Sequence, residues 1–124
     1  MKFREIELSS GTKIFLGKNA ENNDELVEMF KGKENVIMHT VNPGSPFCVI
    51  KKLNPEKEEI KETAVFCAKY SQDWRDNKKD VKIHVFTGKE IKKPFFAKVG
   101  TWKITDKAKV INVKKEEILK LEKK

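Results

Sequence analysis

Apolar and polar residues alternate in short runs along much of the chain, and each run stops at turn chemistry. Phe3 to Leu8 and Thr12 to Gly17 read as two strands joined through Ser9-Ser10-Gly11. The first is charged enough to sit at a sheet edge, where Lys, Arg and Glu discourage pairing with another molecule. From Val36 to Ile50, two apolar runs flank Asn42-Pro43-Gly44-Ser45-Pro46, whose two prolines and glycine forbid continued helix or ladder. This predicts strand, loop, strand. His39 shares one face with Ile37 and Val41, and Val36, Met38 and Thr40 take the other. Val81 to Thr87 alternates cleanly, with Val81, Ile83 and Val85 opposite Lys82, His84 and Phe86. Ile91 to Phe96 follows a turn, and Lys98 to Ile104 and Lys109 to Val113 predict two more strands.

Helical periodicity is confined to three places. Asn54-Pro55 followed by acids is a start signal, with a capping side chain, a first-position proline and carboxylates at the positive dipole end. Ile60, Thr63, Ala64, Cys67, Tyr70, Ser71 and Trp74 then recur at three- and four-residue spacing. The pattern predicts one amphipathic helix of about five turns. Asn23 or Asp24 is placed to cap a shorter helix with Leu26, Met29 and Phe30 on its face and Gly32 as its stop. A third short helix fits the tail, with Ile118 and Leu121 inward. The expected fold is α+β: a largely antiparallel sheet packed on one long central helix, plus short helices. With no repeat, linker or low-complexity block, residues 1–124 are expected to form a single domain.

Charge changes this picture more than length does. Of 27 basic residues only Arg4 and Arg75 are arginine, and the formal net charge is +8. Residues 88–124 hold 12 Lys against 5 acids, and residues 1–87 hold 15 Lys and Arg against 14 acids, so the surplus lies in the last third. That asymmetry points to a polyanionic partner. A lysine-rich chain suits backbone and shape recognition more than bidentate reading of bases. Met1 to Leu8 does not form the apolar region of a signal peptide, and no run approaches a membrane span. Cys48 and Cys67 each sit in an apolar run without metal-ligand spacing, as reduced core thiols do. A cytoplasmic location without membrane attachment is expected.

The candidate chemistry is sparse. His39, Ser45 and Asp24 are the parts a catalyst would need, but Ser45 lies between glycine and proline, outside any nucleophile elbow. Two histidines, His39 and His84, make no zinc set. Neither metal nor cofactor is expected. Gly17-Lys18-Asn19 ahead of a helix offers a cation and N–H groups to an anion, though it is no Walker loop. Lys92-Lys93-Pro94-Phe95-Phe96-Ala97-Lys98, then Trp102-Lys103, interleaves cations with rings, a pattern suited to phosphates and unpaired bases.

These pieces occur in an order that resembles the NFACT RNA-binding domain (NFACT-R) family. The order is Gly17-Lys18-Asn19-x-x-x-Asn23-Asp24, His39 after an apolar run, Pro43-Gly44-Ser45, Ala64-x-x-x-Ala68-x-Tyr70-Ser71, Val81-x-x-x-x-Phe86-Thr87, Ile91-x-Lys93-Pro94 and Gly100. Relatives usually carry Trp where Ile37 stands, and often His where Pro46 stands. The resemblance implies binding without catalysis. In ribosome quality-control factors of the fibronectin-binding-protein-A-like and NEMF type, this module helps engage tRNA and the large ribosomal subunit. The partner expected from it is RNA (tRNA, rRNA or the ribosome), contacted by Lys18, Asn19, Asn23, Asp24, His39, Ser45, Lys92, Lys93 and Lys98. Lysines would hold phosphate, and the polar side chains would contact nucleic acid or brace the loops. Two other readings stand beside it: a DNA-binding member of the family, and a protein-interaction module docking on a ribosomal or quality-control protein. For nucleic acid, affinity is expected to fall about tenfold or more between 50 and 200 mM salt.

Overall fold

The computed structural model describes residues 2–93, 102–105 and 108–123. It is an α+β fold whose main sheet has six strands: β1 (Arg4–Glu7), β2 (Lys13–Leu16), β3 (Val36–Thr40), β4 (Cys48–Ile50), β5 (Val81–Thr87) and β8 (Lys109–Val113). Their spatial order is β1-β2-β4-β3-β5-β8, and every neighbouring pair is antiparallel. Between them in the chain lie α1 (Ala20–Phe30), α2 (Lys57–Lys69) and α3 (Gln72–Asn77), and α4 (Lys115–Glu122) follows the last strand. A separate ribbon pairs β6 (Ile91–Lys92) with β7 (Lys103–Ile104), Lys92 opposite Lys103.

Both faces of the sheet are covered, which is why β3 and β4 read as nearly continuous apolar runs. Ile14, Leu16, Met38, Cys48, Ile50 and Ile83 point to one side, against Ala64, Cys67 and Ala68 of α2, Trp74 of α3 and Ile118 of α4. The small residues on α2 let the helix lie close to the strands. Ile37, Val49 and Phe86 point to the other side, against Leu26 and Val27 of α1, Phe47 and the ribbon's Ile91, with Ile104 and Trp102 at its margin. Both cysteine thiols are free and buried, and each is directed at the Pro46 carbonyl. Burial pushes the Cys48 thiol's pKa well up, so it stays protonated.

Three boundaries differ from the sequence expectation. The long helix is two helices. At the break Ser71 is extended, its hydroxyl donates to the Ala68 carbonyl (2.7 Å), and its oxygen accepts from Trp74 N–H (3.1 Å). One serine therefore closes α2 and caps α3 while Trp74 keeps its place in the core. The start signal at Asn54 is also displaced. Asn54 adopts a left-handed conformation (φ 51°) and turns the chain, and α2 begins beyond Glu56. The short helix starts earlier than Asn23: Asn19 is the cap, accepting from Asn22 N–H (2.8 Å). Of the expected strand Lys98 to Ile104 only Lys103–Ile104 falls among the described residues, and of Ile91 to Phe96 only Ile91, Lys92 and Lys93 do.

Candidate nucleic-acid interface

Asparagines build the β2–α1 junction. Asn19 caps the helix, Asn22 Oδ1 accepts from Lys18 N–H (2.9 Å), and buried Asn23 accepts from Phe47 N–H (3.0 Å) at the entry to β4. The last bond needs Gly17, because a Cβ there would lie 1.8 Å from Asn23 Oδ1. The β3–β4 loop is fixed in turn. Ser45 Oγ accepts from Thr40 N–H (3.0 Å) and donates to the Pro46 carbonyl, and the Thr40 hydroxyl donates to the Asn42 carbonyl. Gly44, at φ +91°, accepts from Gln72 N–H (2.7 Å), and a Cβ on it would press on the Gln72 side chain. Asn42 Nδ2 donates to Asp73 of α3 (3.0 Å). Two loops and the start of α3 are thus locked together at one end of the sheet.

Between them lies a cavity of about 460 Å³, bordered by Arg4, Lys18, Asn19, Asn23, His39 and Tyr70, with the Gly44–Pro46 loop, Gln72 and Arg75 completing its rim. Both arginines of the chain are here, brought from β1 and α3. The Arg4 guanidinium lies over the Tyr70 ring, 4.4 Å from its centroid. Arg75 donates to the Tyr70 carbonyl (3.3 Å) and to Gln72 Oε1 (3.0 Å). Among the described residues none of the eight ion pairs involves Arg4, Lys18 or Arg75, and no Asp or Glu borders the cavity. Burial first, and His84 across the strand pair, lower the pKa of His39 from its ordinary 6.5, against the raising effect of its bond to the Thr40 carbonyl (2.8 Å).

Of the residues singled out in the sequence, Lys18, Asn19, Asn23, His39 and Ser45 meet at this cavity. The side chains of Asn19, Asn23 and Ser45 are each bonded to backbone, so they brace the site's walls. Asp24 and Lys93 stand apart from it. Lys93 Nζ pairs with Asp24 (2.7 Å) and lies over the Trp102 ring, and Trp102 Nε1 also donates to Asp24 (2.9 Å), which pins the ribbon to α1. Lys92 is exposed beside Lys103 on that ribbon. Lys98 lies outside the described residues. Among the described residues the basic last third does not make one face: the ribbon packs on the α1 side of the sheet, whereas α4 packs on the α2 side. The cavity also takes in Arg4, Tyr70, Gln72 and Arg75, to which the sequence assigned no binding role, Tyr70 having entered only through the helix periodicity and the family-like motif. The rarity of arginine was the only signal pointing to the first and last of these.

The structure is thus an α+β domain with a cation-lined cavity at one end of its sheet. The chain belongs to the family of the NFACT protein RNA binding domain, whose model matches residues 2–106. It is similar to the archaeal Rqc2 homolog aRqcH of Methanocaldococcus jannaschii, 29% identical over 68 residues, covering 53% of this chain and 10% of that protein's length. Its fold is similar to the C-terminal part of the fibronectin/fibrinogen-binding protein from Streptococcus suis. That structure superposes with a TM-score of 0.82 over 97% of this chain and 49% of that one, at 24% identity. Among the described residues no helix is long and apolar enough to cross a membrane.

Proposed function

We propose that this protein is a cytoplasmic RNA-binding module acting on tRNA, rRNA or the ribosome in ribosome-associated quality control, and that its principal RNA contact is the cavity bounded by Arg4, Lys18 and Arg75. Family membership supplies the RNA. The observation that carries the contact is three cations that have no carboxylate partner among the described residues, around one concave site bordered by none of the described acids. Cations left unneutralised by the protein are those that gain most from releasing counterions off a phosphate chain. The exposed Lys92 and Lys103 extend the positive potential as a secondary contact. The role is binding. The Ser45 hydroxyl donates to the Pro46 carbonyl and His39 Nδ1 faces the Thr40 carbonyl, so the two are not arranged as nucleophile and base.

Fluorescence anisotropy with tRNA at 50 to 200 mM salt tests this reading. The double substitution Arg4→Glu, Arg75→Glu is expected to weaken binding at least tenfold, and Lys92→Glu to weaken it by a smaller factor. Equal binding by the wild type and the double variant would overturn the assignment.

A further inference from the structure

The RNA-contact reading leaves open what part of an RNA enters the cavity. We infer that it receives a single unpaired nucleotide, with the phosphate held by Arg4, Lys18 and Arg75, and that it does not take the flank of a duplex. This deepens the proposed function and rests on it.

Three features select that ligand. The first is shape. A space of about 460 Å³ lies within the roughly 300–1,000 Å³ of small-ligand sites, and its cations border a hollow. A duplex is a convex rod whose phosphates ride on ridges, so it meets such a hollow only at the rim. A splayed nucleotide can carry its phosphate inside.

The second is preorganisation. Both guanidinium groups are anchored on one residue, Arg4 by the Tyr70 ring and Arg75 by the Tyr70 carbonyl together with Gln72. Arginine offers five N–H donors in a planar fork. Arg75 uses its internal bonds to fix its orientation, and its remaining donors stay available to a phosphate. The Arg4 guanidinium is held against the ring by stacking alone among the described residues, which leaves its hydrogen-bonding capacity for the ligand. The rest of the basic complement is 25 lysines (27 less the two arginines), so the placement of both forks here is specific to this site.

The third is the uncharged polar wall. His39, whose pKa burial lowers, and the Asn19 amide border the same cavity as the cations, as a base edge beside a phosphate requires. Asn19 uses its oxygen on the Asn22 N–H and keeps its amide hydrogens.

The test is a heteronuclear NMR titration of the whole chain with adenosine 5′-monophosphate, adenosine, inorganic phosphate, an unstructured RNA hexamer and a blunt RNA duplex. Adenosine monophosphate and the hexamer are expected to shift the amides of Lys18 to Asn23, Gly44 and Tyr70 to Arg75. The nucleoside and phosphate alone are each expected to bind at least tenfold more weakly. Arg4→Gln, Arg75→Gln should remove the nucleotide response while leaving the rest of the spectrum in place. Lys18→Gln, also at an exposed position, is the second variant should the double one unfold. Equal affinity for inorganic phosphate, no response to the nucleotide, or the same shifts from the duplex would each overturn the inference. If those results came with tRNA binding that still weakened in Arg4→Glu, Arg75→Glu, only the single-nucleotide assignment would fall.

Discussion

His39 and Glu59 show how single side chains tie the loops to conditions in solution. Burial holds the folded-state pKa of His39 below 6.5, so below that pH the unfolded chain binds more protons than the folded one. Stability from this residue is complete above pH 6.5 and is lost as the pH falls from there through the folded value. Urea unfolding followed against pH should show this loss in the wild type and not in His39→Gln. A loss of equal size in the variant would assign it to other groups. Glu59 acts in the same sense at lower pH. Its carboxylate accepts from the hydroxyls of Ser10 and Thr12, from Glu56 N–H (2.8 Å) and from Lys52 Nζ (3.0 Å), and these bonds draw its pKa from 4.5 to about 2. A depressed carboxylate stabilises above its unfolded pKa, and that contribution disappears as the pH drops from 4.5 toward 2. Glu59→Gln should unfold at lower temperature at neutral pH and show a shallower acid dependence across that window, as read by circular dichroism.

At the level of elements, the sheet was legible and the helix ends were not. Strand alternation is a local signal, and the faces read for Val36 to Val41 and for Val81 to Phe86 are those the two core clusters occupy. Helix boundaries depended on which of several competent groups found a partner. Asn19, Asn23 and Asp24 were all capable caps, but Asn23 was taken by Phe47 N–H from a distant loop, and Asn19 took the helix. The periodicity from Ile60 to Trp74 hid a break because Ser71 makes both of its bonds without moving Trp74 off the core face. Ser71→Ala removes the cap and leaves the Ala68 carbonyl without that donor, so a loss of about 1–2 kcal/mol is expected in equilibrium urea unfolding. Gly17→Ala is expected to cost about 1–3 kcal/mol, since the new methyl must displace Asn23 from its bond to Phe47 N–H. A change within experimental error for Gly17→Ala would mean that the β2–α1 junction adapts.

For the whole molecule, net charge counted lysines without showing which were free to meet a partner. Sequence order put the surplus in the last third, but among the described residues folding divides it between opposite sides of the sheet and pairs Lys93 with Asp24. The cavity draws instead on Arg4, Lys18 and Arg75, spread over the first two thirds of the chain, which is nearly neutral, and strand order together with the loop's bonds to α3 brings β1, the entry to α1 and α3 to one end. No local pattern encodes that convergence, so half of the site was invisible before the topology was known. Its consequence is measurable in the salt dependence of binding. Each phosphate of a single strand that the protein neutralises contributes about 0.7 to the slope of log affinity against log salt. Arg4, Lys18 and Arg75 share one phosphate, so removing them together, as Gln, should lower the slope for an RNA hexamer by about 0.7, whereas removing Lys114, Lys120 and Lys123 on the α4 side should leave it almost unchanged. Equal losses from the two triple variants would show that the chain meets RNA through diffuse charge, with no privileged end of the sheet.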